Sequence, residues 1–144
     1  MDCKSCASLS GKKRISPGRK IYSGNYWVIE HAYPTSIRGW LVLVLKRHAT
    51  SLHDLTPSEF AEMTVLQNQI IKVLHECFHS EKEYMAMFAE SEGFEHIHVH
   101  FIPRGENFPS EYKGSKVFRL IGKITNPISP EDVITLCHEL SEKF

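Results

Sequence analysis

Three imidazoles fall within five residues in the stretch HIHVHFIPR, residues 96–104, where His96, His98 and His100 alternate with Ile97, Val99 and Phe101. Alternation of this kind predicts a strand, since successive strand side chains point to opposite faces: the histidines share one face and the apolar residues the other. Histidine is not a favoured strand residue, so three in register ask for a use. One use is a metal ion. At ~3.3 Å of rise per residue, the outer pair lies about 13 Å apart, whereas a zinc needs each nitrogen within ~2.1 Å. A single three-histidine site on one straight strand is therefore disfavoured, and a two-histidine site completed from elsewhere stays open. The other use is phosphoryl or nucleotidyl transfer. A neutral imidazole, with a pKa of about 6.5, is a nucleophile toward phosphorus at neutral pH, and a second imidazole can donate to the phosphate oxygens.

Such a strand needs a sheet and a helix to hold it. The stretch KIYSGNYWVIEHAY reads as two strands around a turn at Ser23-Gly24-Asn25, and WLVLVLKRH, residues 40–48, as a central strand too short for a helix. Thr56, Pro57 and Glu59 form a capping box that opens a helix running to about His79. Its predicted buried stripe is Phe60, Met63, Leu66, Ile70, Leu74 and Phe78. KEYMAMFAE, residues 82–90, reads as a further strand, followed by the acidic loop SEGFE. Beyond Arg104 comes a long Gly- and Pro-containing connection, interrupted by a short helix in SKVFRLIGK, of the kind that is functional or mobile. Ser129-Pro130-Glu131-Asp132 caps a last helix that buries Val133, Leu136 and Leu140. His53, His75, His79 and His138 are assigned to surface or helix-end positions.

Composition narrows the function. The chain has 144 residues, enough for one core, and its formal net charge is zero, which argues against a dedicated nucleic-acid binder. Charge is nonetheless divided: residues 1–50 hold nine Lys/Arg against two Asp/Glu, a surplus that can attract a phosphate-bearing ligand. No apolar run approaches a membrane span and the start MDCKSCASLSGKKR has no apolar core, so a soluble cytoplasmic chain is expected. The cysteines at 3, 6, 77 and 137 do not suggest a disulfide framework.

HIHVHFIPR resembles the His-φ-His-φ-His-φ-φ signature of the histidine triad (HIT) family of nucleotide hydrolases and transferases. GWLVLVLKRHATSLHDLTPSE is similar to that family's segment with a Lys/Arg pair before a histidine, here Lys46-Arg47-His48. The resemblance implies an α+β, HIT-like fold: a five-stranded, mostly antiparallel sheet with helices on one side, a long one and a C-terminal one. One domain over 1–144 is expected, with 1–19 as an N-terminal segment and 105–128 irregular. It implies that His98 attacks the α-phosphorus to form a nucleotidyl-histidine, that His100 bonds the phosphate and assists the leaving group, and that His96 orients the site through its other ring nitrogen. Ser91 is the candidate for a further phosphate contact, and Arg104 a weaker one. Cys3, Cys6, His48 and His96 together make a Cys2His2 set for a structural zinc. A homodimer is implied as well. The substrates so implied are dinucleoside polyphosphates, nucleoside phosphoramidates or aminoacyl-type adenylates. Two rivals remain: a nucleotide-binding HIT-fold protein with little turnover, favoured by Glu30, His31 and Tyr33 where the family often has Asn, and a metal-dependent hydrolase with His96 and His98 as ligands.

Overall fold

The computed structural model describes residues 2–144. In chain order the elements are α1 (Lys4–Leu9), β1 (Tyr22–Ser23), β2 (Trp27–His31), β3 (Leu41–Leu45), α2 (Pro57–Phe78), β4 (Lys82–Ala86), β5 (His98–Arg104) and α3 (Pro130–Ser141), with 3-10 turns at Leu52–Asp54, Ser110–Tyr112 and Gly114–Leu120. The five strands form one sheet in the order β1-β2-β3-β5-β4, and every pair is antiparallel. LVLVL is thus the central strand, and the α+β architecture is as expected. Among the described residues no helix is long and apolar enough to cross a membrane.

Register decides which face each side chain takes. Ile29, Leu43 and Val99 lie opposite one another across three strands, and with Trp27, Leu45 and Phe101 they form the core face. Onto it pack Leu66, Ile70, Val73 and Leu74 of α2 and Val133, Cys137 and Leu140 of α3. The other face carries Glu30, Val42, His100 and Ala86 in one cross-strand row, and Val28, Val44 and His98 in the next.

α2 starts as its sequence dictates. Thr56 Oγ1 accepts from the Glu59 N–H, and the Glu59 carboxylate accepts from the Thr56 N–H at 2.8 Å. The same carboxylate takes two hydrogen bonds from Arg47, each 2.8 Å, which pins the end of the β3 segment to the helix start. Phe60 departs from the expected stripe: it is 39% exposed, because the apolar face rotates onto Val73 further along.

The strand expected over 82–90 ends at Ala86. The short helix expected in SKVFRLIGK is the 3-10 turn Gly114–Leu120. Val117 is buried and forms, with Ala32, Trp40 and Ile102, a second small core on the side of the sheet away from α2, and Thr35 Oγ1 donates to the Leu120 carbonyl at 2.8 Å. The N-terminal segment contains a helix, tied down where the Arg14 guanidinium donates to Gly18 O at 2.9 Å and pairs with Glu30.

His31 shows how the β2–β3 turn is held. Its Nδ1–H donates to the Ala32 carbonyl at 2.7 Å, and its Nε2 accepts from the Gly39 N–H at 3.0 Å. Gly39 has φ +87°, a left-handed conformation suited to glycine, and a β-carbon there would sit 2.6 Å from the Phe78 ring. Burial lowers the His31 pKa from 6.5 to about 4, so the ring is neutral in the fold. The unfolded chain then binds a proton that the folded one refuses, and stability should fall as pH drops from about 6.5 to about 4. Urea melts across that range should show His31→Gln, which keeps a donor and an acceptor but cannot titrate, with a slope shallower by up to about 1.4 kcal/mol per pH unit. The other buried imidazoles contribute equally to both proteins. An unchanged slope would mean that the native state takes up the proton at His31.

Candidate active site and metal centre

The three signature histidines divide between two sites. β5 begins at His98, so His96 lies before the strand rather than within it, and its ring is fully buried. The single row of imidazoles expected from the alternation is therefore broken after the first member.

His96 faces the N-terminal helix and the end of the β3 segment. Its Nε2–H donates to the Leu45 carbonyl at 2.7 Å, which leaves Nδ1 with a lone pair. Around that nitrogen stand Cys3 Sγ at 3.4 Å, Cys6 Sγ at 3.5 Å and His48 Nδ1 at 3.3 Å, while Cys6 Sγ is 3.5 Å from His48 Nδ1. A tetrahedral zinc, ~2.3 Å from sulfur and ~2.05 Å from nitrogen, sets its ligands roughly 3.3–3.8 Å apart. The observed separations fall on those edges, and all four donor atoms lie within 4.8 Å of one another. Burial, followed by the neighbouring Cys3, raises the Cys6 thiol above its ordinary value, so two thiolates here need a cation between them. The donor set thus fits a closed structural zinc centre. It joins three elements: α1 brings both cysteines, the segment pinned by Arg47 brings His48, and the residues leading into β5 bring His96. A catalytic ion held by His96 and His98 does not fit, because both nitrogens of His96 are engaged and His98 is outside the group of four.

His98 and His100 line a separate cleft of about 570 Å³ on the face of the sheet away from α2. The Nδ1–H of His98 donates to the backbone carbonyl of His96 at 2.6 Å, which leaves Nε2 unprotonated. The contact from His96 to His98 thus runs through the main chain, not through the other ring nitrogen as the resemblance implies. Trp40 Nε1–H donates to His100 Nδ1 at 2.9 Å. Indole nitrogen can only donate, so the His100 proton is on Nε2. Burial, then the proximity of His98, lowers His100 to about 3, and burial lowers His98 as well. Both rings are neutral near pH 7, with opposite tautomers: one offers a lone pair, its neighbour a proton. Their centroids are 5.0 Å apart.

Ser91 lines the cleft, as does Phe94, whose ring centroid is 6.4 Å from that of His98. Arg104 is not there; it pairs with Glu81 at 2.9 Å at the far end of β5. Glu30, one of the residues standing where the family often has Asn, lines the cleft as half of the Arg14 ion pair. Trp40 was missed as a site residue. Its signal was its place two residues before Val42, the partner of His100, which makes Trp40 a diagonal cross-strand neighbour of that ring.

Protein purified without a His tag should contain one zinc per chain by elemental analysis. A Cys3→Ser, Cys6→Ser double variant should contain none, and zinc should be lost from the wild type as acid protonates the thiolates. Stoichiometric zinc in the double variant would rule the centre out. Residues 5–117 match the family model described as "Scavenger mRNA decapping enzyme C-term binding". The chain is 29% identical over 111 residues to the adenosine 5'-monophosphoramidase hnt1 of Schizosaccharomyces pombe, covering 77% of this chain and 76% of that protein. Among solved structures, a Hit-like protein involved in cell-cycle regulation from Bartonella henselae superposes with a TM-score of 0.70 at 15% identity, over 96% of this chain and 93% of that one. A zinc-bound histidine triad family protein from Mycobacterium smegmatis does so with a TM-score of 0.67 at 23% identity, over 98% and 94%. With the triad strand, the five-stranded sheet and the matched family model in agreement, the chain belongs to the HIT-like superfamily of nucleotide-binding and hydrolase proteins.

Proposed function

We propose that the cleft binds the nucleoside monophosphate part of a nucleotide and that His98 accepts the nucleotidyl group in a slow transfer reaction. One observation carries this reading: adjacent neutral imidazoles of opposite tautomer, His98 with Nε2 bare and His100 with Nε2 protonated, on the wall of a cleft large enough for a mononucleotide.

The step follows from those protonation states. The Nε2 lone pair of His98 forms a bond to the α-phosphorus as the bond to the leaving group breaks, and His96 O stabilises the positive charge that develops on the ring through Nδ1–H. The Nε2–H of His100 donates to a phosphate oxygen or to the departing atom. Water then cleaves the phosphorus–nitrogen bond, releasing the mononucleotide and restoring His98. Zinc, held by Cys3, Cys6, His48 and His96, supplies no chemistry here and stabilises the chain that carries the His96 carbonyl. Ser91 is a secondary phosphate contact.

Slow turnover, rather than efficient hydrolysis, is favoured by the charges. Among the described residues no lysine or arginine lines the cleft, while Glu30 and Glu90 do. A transition state rich in negative charge has only neutral dipoles to stabilise it. This also favours a singly charged substrate such as a nucleoside phosphoramidate, the substrate type in the name of the fission yeast relative, over a polyphosphate.

Wild type mixed with a purine nucleoside 5'-phosphoramidate and quenched in denaturant should carry up to one nucleotidyl group per chain and release mononucleotide on longer incubation. His98→Ala should form no adduct and lose roughly a thousandfold or more in turnover. Trp40→Phe, which frees the His100 tautomer, should lower kcat by roughly tenfold with KM little changed. Unchanged turnover in His98→Ala would remove that residue from its role. Tight nucleotide binding without any adduct would leave a pure binding protein.

A further inference from the structure

Glu30 is a buried carboxylate in the cleft lining that the transfer step does not use. It lies in the cross-strand row Glu30, Val42, His100, two strands and therefore roughly 10 Å from His100. Glu30 and Ile15 line the same cleft as His98 and His100, so a mononucleotide with its phosphorus at the two histidines can reach Glu30 with its base. The carboxylate is 91% buried at its side chain, and such a group is retained only with partners. Arg14 takes one oxygen, Oε1. That guanidinium also donates to Ser8 O and Gly18 O, so the arginine is committed to the N-terminal segment. Oε2 has no hydrogen-bond partner among the described residues.

Resting on the nucleotide-binding reading above, we infer that Glu30 makes the cleft selective for guanine. A fixed carboxylate presents two acceptors side by side, here Oε2 and the lone pair of Oε1 that Arg14 does not take. Guanine is the only common base whose pairing edge presents two adjacent donors, N1–H and the N2 amino group. Adenine offers the N6 amino group beside the N1 lone pair, so its second contact sets one lone pair against another. Hypoxanthine keeps N1–H but has no amino group. Arg14 pairs with Glu30 from outside the cleft lining, and Ile15 and Val42 supply apolar walls for the purine.

Calorimetric titration of the zinc-loaded full chain with GMP, IMP and AMP tests this. Wild type should bind GMP about tenfold or more tighter than IMP, and AMP more weakly still. In Glu30→Gln the side-chain amide offers one acceptor and one donor, the complement of the adenine edge. GMP affinity should fall by about tenfold or more while AMP affinity rises. Thermal melts and zinc content check that the variant keeps its fold after losing the Arg14 pair; if it does not fold, the wild-type ranking decides. Equal binding of the three nucleotides, or tighter binding of AMP than of GMP, overturns the guanine inference and leaves the nucleotide reading intact. Binding of none of them overturns both.

Discussion

The backbone carbonyl of His96 is the point on which both sites depend. It accepts the His98 Nδ1–H at 2.6 Å and so determines which nitrogen of that ring is bare. Two sets of contacts hold the peptide unit that carries it. The ring of the same residue bonds to the Leu45 carbonyl on one side and faces the cysteine and histidine donors on the other. The Ile97 N–H of that peptide donates to the Ala49 carbonyl at 2.8 Å, although residue 96 itself precedes β5. The four donors of the structural metal centre and the His98 ring are thereby joined through one peptide unit.

The sheet makes this arrangement possible by being covered on both faces. Strand β3 is apolar without alternation because its two faces meet different cores: α2 and α3 on one side, the cleft and the segment around Val117 on the other. The helical side supplies most of the buried apolar surface. The other side is assembled from irregular pieces, the N-terminal segment and residues 105–128, whose polar ties leave a space between them. A cleft rather than a third layer results.

Much of this was legible in the residues. Capping boxes, the apolar run of β3 and the turn around Gly24 are local signals, and their elements lie within a few residues of where the sequence puts them. The four zinc donors could be named because each sits in a short motif. What could not be read depends on register or on contacts between distant segments. Alternation in HIHVH continues past the true start of the strand, since the period of side chains does not reveal where sheet hydrogen bonding begins. The Trp40 contact needs the β3–β5 register. The Arg14–Glu30 pair crosses from an irregular segment to a strand, and no spacing rule connects them. Residues 105–128 have turn chemistry but also a valine that finds a core, and propensity sees only the first.

Charge separates the two sites more sharply than distance does. The surplus of positive residues in the first third of the chain is spent on structure where it nears the cleft: Arg14 on Glu30 and the N-terminal carbonyls, Arg47 on Glu59. Neither guanidinium is left to meet a phosphate. Under the proposed reading, a phosphate entering between His98 and His100 is bound by neutral donors in a partly desolvated space, where each hydrogen bond is strong but no net charge is cancelled. Such a site loses more with each further negative charge on the ligand. It can discriminate a phosphoramidate from a polyphosphate by what it lacks, and a neutral imidazole is the nucleophile that this environment permits, since burial already opposes its protonation. Burial, not the charge balance of the cleft, is what keeps the His98 ring neutral.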